Sequence, residues 1–499
     1  MVKFKRFAEL TEVADELLKY VIVVARYKGK FIFCRHKKRD TWEIAGGKRE
    51  QSETIIETAH RELFEETGAK RAIIRPVCIF VVAKEQESYG CVFYADVQEM
   101  GAMPECEMSE IGLFDKAPKE QTYSDVHPKV FKKVLEFLKH DTDNNYNDSE
   151  TYTKDYFKIL SPKFPQWLTD YINTPAMQRI DKIMMSCGCD YSTLYNLKFS
   201  MSNLKHSIGV ALIVWNFTKD KKATLSGLFH DIATPCFKHC VDFLRGDSET
   251  QESTEDLTEQ IIRDSKEIMA LLKRDGITVD EIKDYKIYPI ADNDTPQLSA
   301  DRLEYTLSNG IFFDQVWSME KLKEYYNDLV VTTNEHGIDE LAFKTKELAI
   351  DFVVRARKLW ELWFESRDKL LMQFIADTLK EMQKLDLIKE SDLYNHSDQE
   401  ILDMIKNCGN ERIVTAFHKF QHATECHESD TKPSGVYARK IKTKKRYINP
   451  LILTKQGAKR ITELSDKAKA AIDEWKSFEC PAWASFDFDL LTSISHPKI

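Results

Sequence analysis

The chain has no long hydrophobic run. None of its stretches approaches the ~18 uninterrupted apolar residues that a membrane-spanning helix needs. The N-terminal sequence MVKFKRFAELTEVADELLKY also lacks a small-residue cleavage site after an apolar segment, so it does not predict a secretory signal. We therefore expect a soluble cytoplasmic protein without a membrane partner.

A disulfide framework is missing as well. The 11 cysteines, an odd number, are scattered through 499 residues, which is typical of reduced intracellular thiols. Cys187 with Cys189, and Cys236 with His239 and Cys240, lack the paired spacing of a structural zinc site. We interpret both groups as packing thiols.

The chain carries no excess of positive charge. Its 72 basic and 81 acidic residues give a net charge of −9, which argues against a protein dominated by non-specific nucleic-acid binding but allows a local basic patch. No internal repeat is apparent, and 499 residues are too many for one core. The length therefore predicts about two to four domains.

The most informative stretch that is present runs from residue 42 to residue 69, WEIAGGKREQSETIIETAHRELFEETGA. It predicts a helix entered from a glycine loop, on which Glu62, Glu65 and Glu66 at i, i+3 and i+4 share roughly 100° of one face. Like charges at this spacing destabilise a helix, and a divalent cation with oxygen ligands offsets their repulsion. A solvated acidic face is the alternative, but the fixed spacing favours a metal-binding helix.

From Gly47 through Glu53 and Arg61 to Ala69, every position matches the Nudix signature, so this region resembles the Nudix hydrolase family. The resemblance implies a mixed sheet between helices. It also implies hydrolysis of a pyrophosphate bond in a nucleoside diphosphate derivative or (d)NTP, by attack of water on phosphorus.

The same resemblance implies bound Mg²⁺ or Mn²⁺. The implied ligands are Glu53, Glu62, Glu65, Glu66 and the carbonyl of Gly46 or Gly47. Glu62 is either a ligand or a base, and Arg61 orients a carboxylate. In several relatives the general base lies outside the signature, and Glu107 and Glu110 both stay open as candidates for it.

Side chains near the glycine loop are candidates for substrate binding. Trp42 either stacks on a base or belongs to the core. Arg39 and Lys48, together with Lys37 and Lys38, either hold phosphates or belong to an ordinary solvated loop.

The sequence around the acidic helix predicts an α/β domain over residues 1–140. Lys28-Gly29 separates two stretches rich in β-branched and aromatic residues and predicts a hairpin turn. Four strands and a helix are predicted in chain order, at residues 20–27, 30–36, 71–84, 89–97 and 126–140. Residues 141–155 turn polar and acidic, and we interpret them as a linker.

Residues 156–330 show long helical spacing and a second candidate metal site. His206, the adjacent pair His230-Asp231 and Asp301 follow the order His, His-Asp, Asp. Two imidazoles and two carboxylates make an open site for one metal ion and leave positions for water and phosphate. The alternative is that these are polar residues satisfied within a helical core. The order resembles that of the HD phosphohydrolase superfamily.

The segments TPAMQRI, HSIGVA, HDIATPCFKH and ADRLEY are together similar to the deoxynucleoside triphosphate triphosphohydrolase branch of that superfamily. The resemblance implies Mn²⁺, Fe²⁺, Mg²⁺ or Zn²⁺ at the site, His239 as a catalytic residue near the phosphates, and Arg179 pointing inward as a substrate-binding residue. Three positions depart from that branch: Asn203 replaces a basic residue, Thr234 replaces a histidine, and Gln251 replaces the histidine of the catalytic His-Glu pair. The glutamate of that pair is retained as Glu252, which the resemblance implies is catalytic. A phosphomonoesterase, a cyclic-nucleotide phosphodiesterase and a nucleotide sensor therefore stay open.

Residues 331–499 are interpreted as a helical extension of this domain. Their stretch GVYARKIKTKKRYINPLI predicts a basic strand, in which Lys440 and Lys442 are candidates for binding phosphate. A solvated edge strand is the alternative.

These features predict a multidomain chain, with an N-terminal α/β Nudix sandwich followed by a mainly α-helical HD domain and a small C-terminal α+β extension. We expect a bifunctional nucleotide hydrolase that cleanses or controls nucleotide pools, binds an effector nucleotide and forms a homo-oligomer. Two alternatives stay open: the HD half senses nucleotides and regulates the Nudix enzyme, or the enzyme acts on a signalling nucleotide or an RNA 5′ end.

Overall fold

The computed structural model describes residues 3–8, 13, 17–51, 53–83, 87–104, 107–144, 149–195, 201–249, 257–312, 316–481 and 483–488. The chain divides into two compact units, Met1–Thr151 and Tyr152–Ile499. Within these described ranges, none of the helices combines the length and the apolar character that crossing a membrane requires.

A mixed sheet of eight strands forms the N-terminal unit. The strands are β1 (Lys3–Ala8), β2 (Leu18–Tyr27), β3 (Lys30–His36), β4 (Trp42–Glu43), β5 (Ala45–Lys48), β6 (Ala69–Ala83), β7 (Ser88–Met100) and β8 (Met108–Phe114). Their order is β1-β6-β7-β2-β3-β4, with β5 on β2 and β8 on β3, and β2 runs parallel to β7. The predicted hairpin joins β2 to β3, and Lys28 and Gly29 close it with φ of 47° and 81°.

Helices cover both faces of this sheet. Val21 and Val23 of β2 pack on the face covered by α1 (Ile55–Thr67), whereas Val24 faces the opposite core, to which α2 (His127–Asn144) contributes. Successive residues of a strand point to opposite faces, so an almost continuous run of apolar residues supplies both cores. The predicted sheet between helices is confirmed.

The sequence of α1 also fixes both of its ends. Thr54 and Glu57 form a capping box, in which the Thr54 amide donates to the Glu57 carboxylate at 2.7 Å. Gly68 ends the helix in the left-handed region, with φ of 74°, and its amide donates to the Phe64 carbonyl at 2.8 Å. The acidic residues of α1 therefore lie on a helix of fixed length and phase.

The segment predicted as a linker is partly helical. Residues 141–144 belong to α2, and residues 149–155 belong to α3 (Ser149–Leu160), which leads into the C-terminal unit. A polar composition did not prevent helix formation, because polar residues such as Glu and Lys have high helix propensity.

The C-terminal unit is largely helical. Its further helices are α4 (Leu168–Ile172), α5 (Pro175–Arg179), α6 (Asn203–Thr218), α7 (Lys221–Phe229), α8 (His239–Arg245), α9 (Thr258–Asp264), α10 (Lys266–Asp275), α11 (Ala300–Phe312), α12 (Met319–Asn327), α13 (Lys346–Leu362), α14 (Ser366–Lys384), α15 (Asp392–Asn395), α16 (Asp398–Lys406), α17 (Glu411–Gln421), α18 (Ile461–Leu464) and α19 (Asp466–Ser477). Its strands are β9 (Leu329–Thr333), β10 (Asp339–Phe343), β11 (His427–Ser429), β12 (Ala438–Arg439), β13 (Leu451–Thr454), β14 (Gly457–Arg460) and β15 (Trp483–Ser485).

Two small sheets and two hydrophobic cores complete this unit. The sheets have the strand orders β14-β13-β10-β9 and β11-β15-β12. One core includes residues from Tyr156 to Trp475, and the other includes residues from Cys187 to Phe488. Both cores cross residue 330, so the predicted extension shares its packing with the predicted HD core.

The prediction of a basic strand was wrong for most of its length. Within that stretch, Ala438 and Arg439 pair in one sheet and Leu451 and Ile452 pair in the other, whereas residues 440–450 between them have no regular secondary structure. Contacts with other segments hold them instead: the Ser248 hydroxyl donates to the Lys442 carbonyl at 2.8 Å, and the Lys445 ammonium donates to the Lys476 carbonyl at 2.9 Å.

Candidate active sites

The glycine loop meets α1 without room for a side chain. Gly46 and Gly47 lie in β5, opposite Ile22 and Val21 of β2. A Cβ atom on Gly47 would lie 2.1 Å from Oε1 of Glu62, so the Glu62 carboxylate occupies the space that a side chain would fill. The predicted loop and helix therefore form one site.

Arg61 connects the carboxylates of this site. Its Nε donates to Glu53 at 2.6 Å and its Nη2 at 3.0 Å, while Nη1 donates to Glu62 at 2.8 Å and to Glu65 at 3.1 Å. The hydrogen bonds from Arg61 lower the pKa of Glu53 to about 2. Arg61 thus orients three carboxylates at once, which is the role that the family resemblance implied for it.

Glu66 is the most deeply buried carboxylate of α1, with 8% of its surface exposed. Burial raises its pKa to about 8, although the Gly46 amide donates to its Oε2 at 3.0 Å and lowers it. Burial also raises the pKa of Glu62. Burial makes the charged forms of Glu62 and Glu66 unfavourable, and Glu65 adds a third carboxylate beside them. A bound cation would stabilise all three charges, so these residues fit the Mg²⁺ or Mn²⁺ that the resemblance implies.

The acidic residues are not drawn into one tight group. Among the described residues, three or more potential ligand atoms lie within 4.8 Å of one another only at His206, His230 and Asp231. Arg61 holds Glu62 and Glu65 together, and the Gly46 amide holds Glu66, so all three carboxylates already have partners within the protein.

The aromatic and basic residues near the loop have protein partners. Trp42 packs edge-on against Phe114, with ring centroids 4.9 Å apart, and the Arg35 guanidinium lies 4.2 Å from its ring centroid. Arg39 pairs with Glu43 at 2.7 Å. These contacts belong to the sheet edge, and the substrate-binding roles of Trp42 and Arg39 stay predictions.

The remaining residues predicted around this site have mixed surroundings. The Lys48 side chain is exposed, while its carbonyl accepts from Arg61 at 3.0 Å. Glu110 pairs with Arg35 at 2.8 Å, and Glu107 lies 3.6 Å from His36. The choice of general base between Glu107 and Glu110 stays open.

The second site, which we call the His/Asp cluster, consists of His206, His230, Asp231 and Asp301. Nε2 of His206 lies 3.1 Å from Nε2 of His230, 3.2 Å from Asp301 and 3.9 Å from Asp231. Nε2 of His230 lies 3.6 Å from Asp301 and 3.7 Å from Asp231. The four side chains predicted from distant parts of the sequence thus converge on one point.

Three helices position the cluster. His206 lies one turn inside α6, which begins at Asn203. His230 and Asp231 follow the end of α7, and Asp301 is the second residue of α11. Each helix contributes one edge of the site.

The outer nitrogen of each histidine is already engaged. Nδ1 of His206 hydrogen-bonds the Glu304 carboxylate, and Nδ1 of His230 lies 2.8 Å from the Gly227 carbonyl. These partners accept a proton from Nδ1 and turn both Nε2 atoms towards the centre of the cluster, where each could bind a metal ion that displaces any proton on Nε2. The cluster fits a divalent cation by its donor set and by this orientation.

Charge in the cluster also favours a cation. Burial alone would lower the pKa of His206, but Glu304 and Asp301 outweigh it and raise the pKa to about 9. Glu304 is fully buried and accepts from the Tyr156 hydroxyl at 3.0 Å. A Cβ atom on Gly209 would lie 2.7 Å from the Glu304 side chain, so that glycine makes room for it.

The cluster opens into a cavity with a basic wall. The basic side chains that line it are Lys238, His239, Lys286, Arg302, Lys444 and Arg446. Lys440 and Lys442, which the sequence suggested, are not among the described residues that line the cavity. The basic stretch reaches the cavity only with Thr443, Lys444 and Arg446, because residues 440–450 do not follow the regular alternation of a strand.

The three remaining predicted residues, His239, Arg179 and Glu252, differ in where they lie. His239 lines the cavity, and its Nδ1 lies 3.0 Å from Asp242, which is fully buried. Arg179 does not line the cavity, because its Nη2 donates to the carbonyls of Ile232 at 2.8 Å and Thr234 at 2.9 Å and so holds the loop after the His-Asp pair. Glu252 lies outside the described residues.

Sequence reasoning missed several residues that shape this site. Glu304 stands three residues after Asp301 in a helix, and that spacing could have identified it as a partner on the same face. Lys238 precedes His239 directly and contacts Asp231 at 2.7 Å. Asp398 binds the backbone of the loops around the cavity from a distant helix, and no sequence signal connects it to them.

Comparison with known proteins agrees with the geometry of the first site. Residues 17–131 match the model of the NUDIX domain family. The N-terminal unit contains a Nudix domain. The "Putative 8-oxo-dGTP diphosphatase YtkD" of Bacillus subtilis (strain 168) is 34% identical over 83 residues, which are 16% of this chain and 52% of that protein. The chain thus spans about half the length of this Nudix-region relative.

A longer curated relative and two solved structures are also similar to this chain. The uncharacterized protein YdhJ of Bacillus subtilis (strain 168) is 24% identical over 304 residues, which are 60% of this chain and 89% of YdhJ. A mutant of the Bacillus subtilis pyrophosphohydrolase BsRppH is 25% identical, covers 27% of this chain and 90% of its own, and has a TM-score of 0.24. A phosphohydrolase from Bacteroides thetaiotaomicron is 14% identical, with 64% and 94% coverage and a TM-score of 0.46.

Proposed function

We propose that the chain is a bifunctional, metal-dependent nucleotide hydrolase. The Nudix half cleaves a pyrophosphate bond in a nucleoside diphosphate derivative or (d)NTP, and the second half is an HD-type phosphohydrolase acting on (deoxy)nucleotides. The convergence of His206, His230, Asp231 and Asp301 beside a basic cavity carries the proposal for the second half. For the first half, the Glu62 carboxylate packed on Gly47 carries it.

In the Nudix half, Glu62, Glu65 and Glu66 would hold Mg²⁺ or Mn²⁺. Such a cation neutralises charge on the non-bridging phosphate oxygens of a substrate. Arg61 fixes the directions of Glu62 and Glu65, and the Gly46 amide fixes that of Glu66. The similarity to YtkD, a putative 8-oxo-dGTP diphosphatase, supports a nucleoside triphosphate as the substrate.

In the HD half, the His/Asp cluster would hold Mn²⁺, Fe²⁺, Mg²⁺ or Zn²⁺, which activates water and binds phosphate oxygens. Asp242 accepts from Nδ1 of His239, which leaves Nε2 of His239 as the atom that can exchange a proton with a phosphate oxygen in the cavity. Lys444 and Arg446 supply positive charge along the same wall.

Product analysis tests both halves in one experiment. A panel of nucleoside and deoxynucleoside triphosphates is incubated with the full chain and Mg²⁺ or Mn²⁺, and the products are separated by ion exchange. Monophosphate with pyrophosphate is expected from the Nudix half and is lost in Glu65→Gln. Nucleoside with triphosphate indicates the HD half and is lost in Asp301→Ala. Equal absence of turnover in the wild type and both variants would contradict the proposal.

One observation favours a second candidate for the HD half. The Lys238 ammonium lies 2.7 Å from Asp231, so one ligand of the cluster already has a cationic partner. In this second candidate, the HD half binds a nucleotide without turnover and regulates the Nudix half. Tight nucleotide binding without any product from the HD half, together with a change in the Nudix rate, would distinguish it.

A further inference from the structure

The loop after the His-Asp pair adopts an unfavourable backbone conformation at Lys238. Phe237 and Lys238 both have positive φ, of 58° and 42°, and neither is glycine. Such conformations cost on the order of 1 kcal/mol or more per residue and persist only where surrounding contacts enforce them. Here the Phe237 amide donates to the Asp398 carboxylate at 2.8 Å, and the Lys238 amide donates to the Pro235 carbonyl at 3.0 Å.

This conformation sends a lysine inward instead of to solvent. Lys238 is 9% exposed and lines the cavity beside the His/Asp cluster. Its Nζ donates to Asp231 at 2.7 Å and to Oδ1 of Asn203 at 2.9 Å. The third neighbour of Nζ is the thioether sulfur of Met185, at 3.5 Å.

An ammonium group has three N–H donors, and a thioether is a weak acceptor. Two donors of Lys238 are therefore well satisfied, and the third is not. Met185 also lines the cavity, so this donor lies at the cavity wall, next to an Asp of the cluster. A phosphate oxygen that reaches the cluster is a much stronger acceptor than the sulfur, and a hydrogen bond between two charged groups is among the strongest in proteins.

We propose that Lys238 is the phosphate-binding cation of this cavity, with Asp231 and Asn203 fixing its ammonium so that the third N–H meets a phosphate oxygen. This inference rests on one part of the proposed function of the HD half, namely that its cavity binds a phosphate group. It applies equally to a hydrolase and to a sensor, because both must bind phosphate.

Phosphate binding to the full-length, Mn²⁺-loaded chain tests this inference. Inorganic phosphate and tripolyphosphate are titrated by calorimetry into the wild type, into Glu65→Gln and into the double variant Glu65→Gln/Lys238→Met. The comparison is between the last two chains, which have the same Nudix half and differ only at Lys238. Bound Mn²⁺ is counted separately by electron paramagnetic resonance. Lys182→Met, which removes an exposed lysine, is the matched control.

Loss of the ammonium is expected to weaken phosphate binding by about tenfold or more, with the Mn²⁺ count unchanged. The control is expected to bind phosphate as its parent does. Should Lys238→Met fail to fold, Asn203→Asp offers a second route: it keeps the lysine, adds a negative charge beside Nζ, and is expected to weaken phosphate binding as well.

Unchanged phosphate affinity in a folded Lys238→Met or Asn203→Asp chain would overturn the inference. A loss of phosphate that only follows a loss of Mn²⁺ would overturn it too. Absence of nucleotide turnover, with phosphate binding that still depends on Lys238, would instead contradict the hydrolase and leave this inference standing.

Discussion

The two adjacent glycines of the Nudix loop are expected to separate catalysis from stability. In Gly47→Ala, the new methyl group would lie 2.1 Å from Oε1 of Glu62, at the far end of a side chain. In Gly46→Ala, it would lie 2.4 Å from the carbonyl oxygen of Val21, which belongs to the backbone of β2. Neither glycine has a positive φ, so the difference between the variants comes from these contacts.

The magnitudes differ for the same reason. A carboxylate can rotate away from a methyl group, so Gly47→Ala is expected to change the free energy of unfolding by less than about 1 kcal/mol. The rotation displaces Glu62 from Arg61 and from the other carboxylates, and a misplacement of about 1 Å costs roughly 100-fold in rate. Gly46→Ala instead forces two strands apart, which costs about 1–3 kcal/mol.

Both quantities can be measured on the full chain. Release of pyrophosphate from a nucleoside triphosphate reports the Nudix rate, and hydrogen exchange of the amides in β2 and β5 reports the local free energy of opening. Gly47→Ala is expected to lose activity with unchanged exchange, and Gly46→Ala to accelerate exchange. A fully active Gly47→Ala, or one that is destabilised as much as Gly46→Ala, would refute the assignment of Glu62 to the site.

Two further predictions concern buried carboxylates. In the metal-free chain, the pKa of Glu66 is about 8 instead of 4.5, so the folded chain keeps a proton that the unfolded chain has lost between those pH values. The free energy of unfolding of the Nudix unit should therefore fall as pH rises from about 4.5 to 8, by at most about 5 kcal/mol. Hydrogen exchange should show a smaller dependence of this free energy on pH in Glu66→Gln than in the wild type. An equal dependence in both chains would refute the raised pKa of Glu66. Glu304→Gln weakens the hold on Nδ1 of His206 and should reduce Mn²⁺ affinity of the His/Asp cluster by about 10–100-fold, measured by calorimetry. Tyr156→Phe removes the hydrogen bond from the Tyr156 hydroxyl to Glu304 but leaves the carboxylate on His206, so it should reduce Mn²⁺ affinity less. Equal affinity in Glu304→Gln and wild type would contradict this role.

The sequence predicted the parts of both sites that depend on local spacing. Glu62, Glu65 and Glu66 share a face because helical periodicity alone decides it. The four residues of the His/Asp cluster were identified by their order and sequence context, through the family resemblance. The predicted strands agree closely with β2, β3, β6 and β7, because their apolar runs are buried on both faces.

Long-range partners could not be predicted in the same way. The roles of Lys238 and Arg179 depend on which backbone or side-chain atoms lie opposite them after folding. Residues 440–450 read as a strand because basic and apolar residues alternate, yet strand formation also needs a neighbour with free backbone groups. The segment has none among the described residues and lies along the cavity instead.

Asp398 decides how the C-terminal unit can be divided. Its carboxylate accepts from the Met184 amide at 2.9 Å and from the Phe237 amide at 2.8 Å, although it lies at the start of α16. A fragment that ends at residue 330 would contain every member of the His/Asp cluster and still leave both loops without this clamp. A fragment that keeps both loops in place around the His/Asp cluster must therefore extend past residue 330 and include α16, so the boundary suggested by the positions of the four cluster residues is not a boundary at which the chain can be cut.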